Sequence, residues 1–128
     1  MPIFNGAGGS GGSLPNPIPT ATVTTLTVTN LVPPVSVAIS ASDIDWSTAM
    51  SFSKTLGANT TFTFSNAIDG KSIVVALTNT ASNYTVTWPT VKWTGGSAPT
   101  QTVGAKTDVY TFVMVGPTIY GSVVQNIS

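Results

Sequence analysis

Across residues 51–77, SFSKTLGANTTFTFSNAIDGKSIVVAL, polar and apolar side chains alternate with a period of two, and this pattern restricts the segment to β structure. Phe52, Lys54 and Leu56 alternate with Ser51, Ser53 and Thr55, so one face can be packed and the other wetted. Gly57-Ala58-Asn59 tolerates a reversed backbone, because Gly has no Cβ to clash and Asn can bond its own main chain. Thr61, Phe62, Thr63 and Phe64 put both rings on one side and both hydroxyls on the other, and Asp69-Gly70 is a hairpin turn signal. Ile73, Val75 and Leu77 face one way and Val74 and Ala76 the other, which predicts a strand covered on both faces. Together these three strands read as an antiparallel meander.

The flanks repeat the pattern. Val35, Val37, Ile39 and Ala41 alternate with Ser36, Ala38 and Ser40, and Tyr84, Val86 and Trp88 alternate with Thr85 and Thr87 before Pro89, Val91 and Trp93. Residues 94–107 form a Gly/Pro/Thr loop of a length that often carries function. Val109, Thr111, Val113 and Val115 oppose Tyr110, Phe112 and Met114, and residues 119–124 complete the set after Gly116-Pro117. No window carries a 3.6-residue period or a capped amphipathic run. About eight short strands at regular spacing predict an all-β fold, an antiparallel β-sandwich or jelly-roll-like knob over residues 35–128.

Ahead of it lie two segments of different character. Residues 1–19, MPIFNGAGGSGGSLPNPIP, cannot bury enough apolar area to offset their ordering entropy, and Pro15, Pro17 and Pro19 favour an extended path. They read as a flexible arm with an apolar tip at Ile3 and Phe4. Ile3, Phe4, Asn5, Leu14 and Ile18 are the candidates for anchoring it in another protein's groove, although the same composition suits an ordinary unfolded terminus. Residues 20–34 begin TATVTTLTVTNL, a Thr-rich ribbon with Leu26 and Val28 on one face and Val23 out of step with them, too small an apolar face for a lone strand to stand in water; Val23, Leu26, Val28 and Leu31 are the stem candidates. Either three copies shield one another around an axis as a short β stem, or the segment is an edge strand of the knob. Pro33-Pro34 ends the pattern because proline cannot donate to a ladder.

Charge narrows the function. Only 6% of the 128 residues are charged, all of them Lys or Asp, against about 25% in a typical soluble domain, and the net charge is zero. A neutral surface of Ser, Thr, Asn and Gln protects poorly against self-association, which favours a protein whose working state is an assembly. No basic patch exists to neutralise phosphates, so nucleic acid is not an expected partner. No apolar window is long enough to span a bilayer, and Met1-Pro2-Ile3-Phe4 lacks the basic start and apolar core of a secretory signal. With no cysteine, disulfides and thiolate metal sites are excluded.

Few residues remain that could do chemistry. His and thiolate catalysis are excluded by composition, leaving four Asp, four Lys and hydroxyls. Asp43 and Asp45 are the one close carboxylate pair, on one face if the segment is a strand, yet they equally suit a polar turn before a core Trp46. Asp43-x-Asp45-x-Ser47 opens like a calcium loop but has Thr48 where that loop needs Gly and Lys54 where it needs the bidentate Glu. Gly6-x-Gly8-x-x-Gly11 has dinucleotide-binding spacing without the strand before it or the helix after it. Sequons at Asn59, Asn83 and Asn126 are what chance supplies in a chain so rich in Thr and Ser. No cofactor and no catalytic residue are expected. Trp93, beside Gly95-Gly96, is the indole least constrained by a strand, and with Gln101 and Asp108 as hydroxyl partners it is the candidate glycan contact; Trp88, on a strand face with Tyr84 and Val86, reads as core.

The segments DW, F-x-KTL-x-ANTTFTFSN, DG-x-SI, YTVTWP-x-VKW-x-GG-x-APT and D-x-Y-x-F, spread over residues 43–121, resemble a domain that recurs in virion proteins of tailed bacteriophages, in tail fibres, head fibres and small decoration proteins. The resemblance implies a β-rich homotrimer on the virion surface, made in the host bacterial cytoplasm, without enzymatic activity. A stem strand of about twelve residues spans only about 40 Å, which favours a capsid decoration, cement or short head-fibre protein attached through its arm to the major capsid protein or another virion protein. The alternative is a tail-fibre tip or adaptor that binds a host-surface glycan.

Overall fold

In the computed structural model the described residues are Thr25 and 35–128. The anchoring candidates Ile3, Phe4, Asn5, Leu14 and Ile18 and the stem candidates Val23, Leu26, Val28 and Leu31 lie outside the described residues.

All regular structure among the described residues is β: β1 (Val37–Ala38), β2 (Asp43–Asp45), β3 (Ser51–Thr55), β4 (Thr60–Thr61), β5 (Thr63–Ser65), β6 (Ser72–Thr78), β7 (Val86–Thr87), β8 (Lys92–Trp93), β9 (Thr107–Val115) and β10 (Thr118–Ile127). Six of them form one sheet in the order β1-β3-β6-β9-β10-β8, and β2-β5 and β4-β7 form two short ladders. The meander expected over residues 51–77 does not form. β3 pairs parallel with β6, not antiparallel with its successor, and the chain between them contributes β4 and β5 to the ladders with β7 and β2, also parallel. Parallel neighbours need a crossover, and two of these lay down covering strands: β2 on the way from β1 to β3, then β4 and β5 on the way to β6. Only β6-β9 and β9-β10 are antiparallel, so the sheet is mixed and the wholly antiparallel jelly-roll-like expectation is corrected.

Faces explain this outcome. Phe62 and Phe64 point inward from one side of their strand and Thr61 and Thr63 are exposed on the other, which suits a covering layer wetted on its back. Phe52 from β3, Ile73, Val75 and Leu77 from β6, and Tyr110 and Phe112 from β9 are buried on one side of the large sheet, where Ile44, Trp46, Phe62 and Trp88 meet them. The rings interlock: Phe64 lies edge-on to Phe112 with centroids 5.0 Å apart, and Trp88 stands 4.7 Å from Tyr110 and 5.0 Å from Phe62. Among the described residues, β6 is covered by a second layer on this side alone. Val74 is 37% exposed, which corrects the expectation of a strand packed on both faces.

Asp69-Gly70 does turn the chain, with Lys71 N–H donating to Ile68 C=O at 3.0 Å and Gly70 at φ 85°. The turn joins strands of different sheets rather than closing a hairpin. Asn66, Asn83 and Asn126 also adopt positive φ, a conformation asparagine tolerates better than other residues with a Cβ.

Gly121 of β10 passes beneath the Trp93 ring. A Cβ there would stand 2.8 Å from Trp93 Cζ3 and 2.9 Å from Val91 Cγ1. Gly121→Ala is expected to lower the unfolding free energy by about 1–3 kcal/mol through this overpacking, read as a shifted urea midpoint with an unchanged slope. An unshifted midpoint would show that the indole does not rest on β10.

Candidate functional surfaces

The candidate carboxylates are tied into the fold. Asp43 accepts Thr63 Oγ1–H at 2.8 Å and Ser65 Oγ–H at 2.6 Å, clamping β2 to β5. Asp45 Oδ1 accepts Asn66 Nδ2–H at 2.8 Å, Ser47 Oγ–H at 2.7 Å and Ser47 N–H at 2.9 Å, and these donors, Asn66 first, hold its carboxyl below the usual range. A general acid needs the opposite shift. The pair therefore acts as turn and ladder chemistry before Trp46, which is fully buried. No group of three or more acidic side chains that could hold a metal occurs among the described residues.

The three glycan candidates face inward. Asp108, fully buried on β9, accepts Thr102 N–H at 2.7 Å and Gln125 Nε2–H at 3.2 Å on Oδ2, and Asn126 N–H at 2.9 Å on Oδ1. Burial raises its pKa, but the main-chain N–H groups of Thr102 and Asn126, with Gln125, outweigh burial and hold the carboxyl below its ordinary value. Gln101, buried as well, donates from Nε2 to Leu77 C=O at 3.2 Å and accepts Tyr110 O–H on Oε1 at 2.9 Å. Burial and then the nearby Asp108 carboxylate push the Tyr110 phenol well above its usual pKa. Trp93 is half-buried, with its ring 5.5 Å from Phe112 and 6.0 Å from Trp88. Asp108 and Gln101 are committed to internal hydrogen bonds, and Trp93 packs its ring against the core.

The same bonds staple the loop at residues 94–107. Asn79 uses its whole amide, donating to Tyr84 C=O and Thr102 C=O and accepting from Thr80 N–H and Tyr84 N–H. Asn83, at a sequon and in positive φ, accepts Gly104 N–H at 2.6 Å, and Asn59, at another, accepts Thr85 N–H at 3.0 Å. Neither role follows from the sequon pattern; the signal available in sequence was asparagine in turns, the residue that bonds neighbouring main chain. The buried acid did have a signal. In D-x-Y-x-F, Asp108 shares the inward register of Tyr110 and Phe112, so its carboxylate had to find donors inside.

What remains open to solvent is the reverse of the large sheet. Register places Val74 beside Thr111, Val109 between Ala76 and Val124, and Val113 beside Tyr120, all on the side away from the core. Val74, Tyr120 and Val124 are exposed, and Val113 and Val109 are half-buried. Lys54 and Asp108, the charged residues of β3, β6, β9 and β10, are both in register with Leu77 on the core side, so the outward face of these four strands carries no charge. No protein-family model, curated protein or solved structure matches this chain.

Proposed function

We propose that this chain is a structural protein of a tailed-bacteriophage particle: a homotrimeric capsid decoration, cement or short head-fibre protein on the virion surface. Residues 1–19 anchor it to the major capsid protein or another virion protein, residues 20–34 form a short stem, and residues 35–128 form a β-sandwich knob. The observation that carries this reading is the outer face of β3, β6, β9 and β10, which carries no charge and leaves Val74, Tyr120 and Val124 exposed among serines and threonines, where a chain working alone in water would be expected to place lysines and acids. Two layers with a ring-filled core between them support the knob. The polar side chains that might have made a reaction centre or sugar site serve the fold instead, which supports a structural role over an enzyme. The residue-level resemblance to phage virion proteins supplies the setting.

Removal of residues 1–34 tests the anchor. The full chain is expected to co-sediment with particles of the phage that encodes it, and the shortened chain to remain in the supernatant while still melting cooperatively. Attachment unchanged by the truncation would remove the anchoring role from the arm.

A further inference from the structure

Residues 94–106, between β8 and β9, contain no strand. Loops of this length without regular structure are uncommon in compact domains and usually either carry function or stay unfolded. This one is held in place. Thr100 C=O accepts Gln125 Nε2–H at 2.6 Å, Thr102 N–H donates to Asp108 at 2.7 Å, and Gly104 N–H donates to Asn83 Oδ1 at 2.6 Å. Across from it, the Asn79 amide bonds both the N–H and the C=O of Tyr84, and its Nδ2 also donates to Thr102 C=O at 3.1 Å. Asn79 is only 2% exposed, and it thereby joins the two walls of a cleft of about 270 Å³ between the loop and residues 83–86.

We infer that this cleft is a binding site for one neutral sugar ring, a single pyranose held between Tyr84 and the loop. The inference goes beyond the structural role proposed above and rests on neither the trimer nor the particle. Because internal bonds already fix both walls, little ordering of the protein opposes binding.

The chemistry of the lining selects the ligand. None of the residues that line the cleft is charged, so a phosphate, carboxylate or ammonium group would enter without a partner for its charge. The lining is divided: Tyr84, Pro99 and Val103 supply apolar surface, and Asn83, Thr85 and Thr100 supply an amide and hydroxyls. Amides and hydroxyls both donate and accept, as sugar hydroxyls do, and the C–H face of a pyranose needs an apolar wall. Asn83 gives its Oδ1 to Gly104, and among the described residues its Nδ2–H groups have no partner. Size points the same way. A volume of about 270 Å³ is the space of roughly nine waters, room for one ring and just under the roughly 300–1,000 Å³ of pockets for larger ligands. A proline-rich peptide is the other neutral ligand built of rings, but it docks in grooves lined by several aromatics, and Tyr84 is the one aromatic side chain in this lining.

The test uses the full chain and saturation-transfer difference NMR. The probes are methyl α-D-glucopyranoside, methyl α-D-galactopyranoside, methyl α-D-mannopyranoside, methyl α-L-rhamnopyranoside and N-acetyl-D-glucosamine. The peptide LPNPIP, residues 14–19 of the chain, stands in for a proline-rich ligand. At least one sugar is expected to bind with a Kd on the order of 1–10 mM, the range open to a ligand of about a dozen heavy atoms. Tyr84→Ala is expected to abolish that signal. Val103→Asp replaces apolar wall by a carboxylate at a position 63% exposed, where folding tolerates it, and is expected to weaken binding by about tenfold or more. Val115→Lys, at an exposed site outside the cleft, is expected to leave binding unchanged, and far-UV circular dichroism checks the folding of each variant. No saturation transfer to any of the five sugars, or binding of the peptide alone, would overturn the inference. So would a sugar signal that Val103→Asp leaves unchanged or that Val115→Lys also removes.

Discussion

Trp88→Ala is expected to cost about 3–5 kcal/mol of unfolding free energy, enough to leave the knob marginal, because a typical domain has only about 5–15 kcal/mol in all. The indole is the hub of the core. It stacks on Phe62 at 21° between ring planes and lies within 5 Å of Tyr110 and Phe112 between centroids. Those partners come from both layers, so the void left by alanine opens at the join and no single strand can shift to close it. Urea denaturation followed by near-UV circular dichroism measures the loss. A cost below about 1 kcal/mol would mean that the two layers are held together elsewhere.

Asp108→Asn is expected to cost roughly 3 kcal/mol although it changes hardly any volume. Both carboxylate oxygens receive N–H donors, so either orientation of an amide turns its NH2 towards another donor. Acid should act in the same direction. A carboxyl held below its ordinary value in the folded state supplies stability that is fully present above the unfolded pKa of about 3.9 and is lost as pH falls through the folded pKa. Stability of the wild type should therefore decline below about pH 4, and the Asn variant, with no proton to take up at this site, should decline less steeply. Parallel declines in the two proteins would show that the carboxyl is not held in its ionised form by Thr102 and Asn126.

Which side chains face the core was legible in the sequence; which strands are neighbours was not. The inward set of β9, Tyr110, Phe112 and Met114, and the pairing of Phe62 with Phe64 follow from a period of two, because that period is the geometry of the strand itself. Partner choice depends on contacts distant in sequence, and the same alternation serves a hairpin or a crossover. Hence the segment after Gly57 reads as a returning hairpin strand and instead crosses to the second layer. Val74 and Ala76 illustrate a second limit. Apolar residues on both sides of β6 signal burial on both sides, and on the outer side Val74 is exposed here. The inward placement of Gln101 was not legible for a related reason: residues 94–107 read as a loop, while its bonds to Leu77 and Tyr110, distant in sequence, draw it inside.

The central claim is that a chain with so little charge, and with no charge on the open face of β3, β6, β9 and β10, works as three. Sedimentation equilibrium of the intact chain measures this most directly. The account predicts a species of about 39 kDa, three times 13.1 kDa, that persists on dilution to low micromolar concentration. A single 13.1 kDa species at every concentration would contradict it.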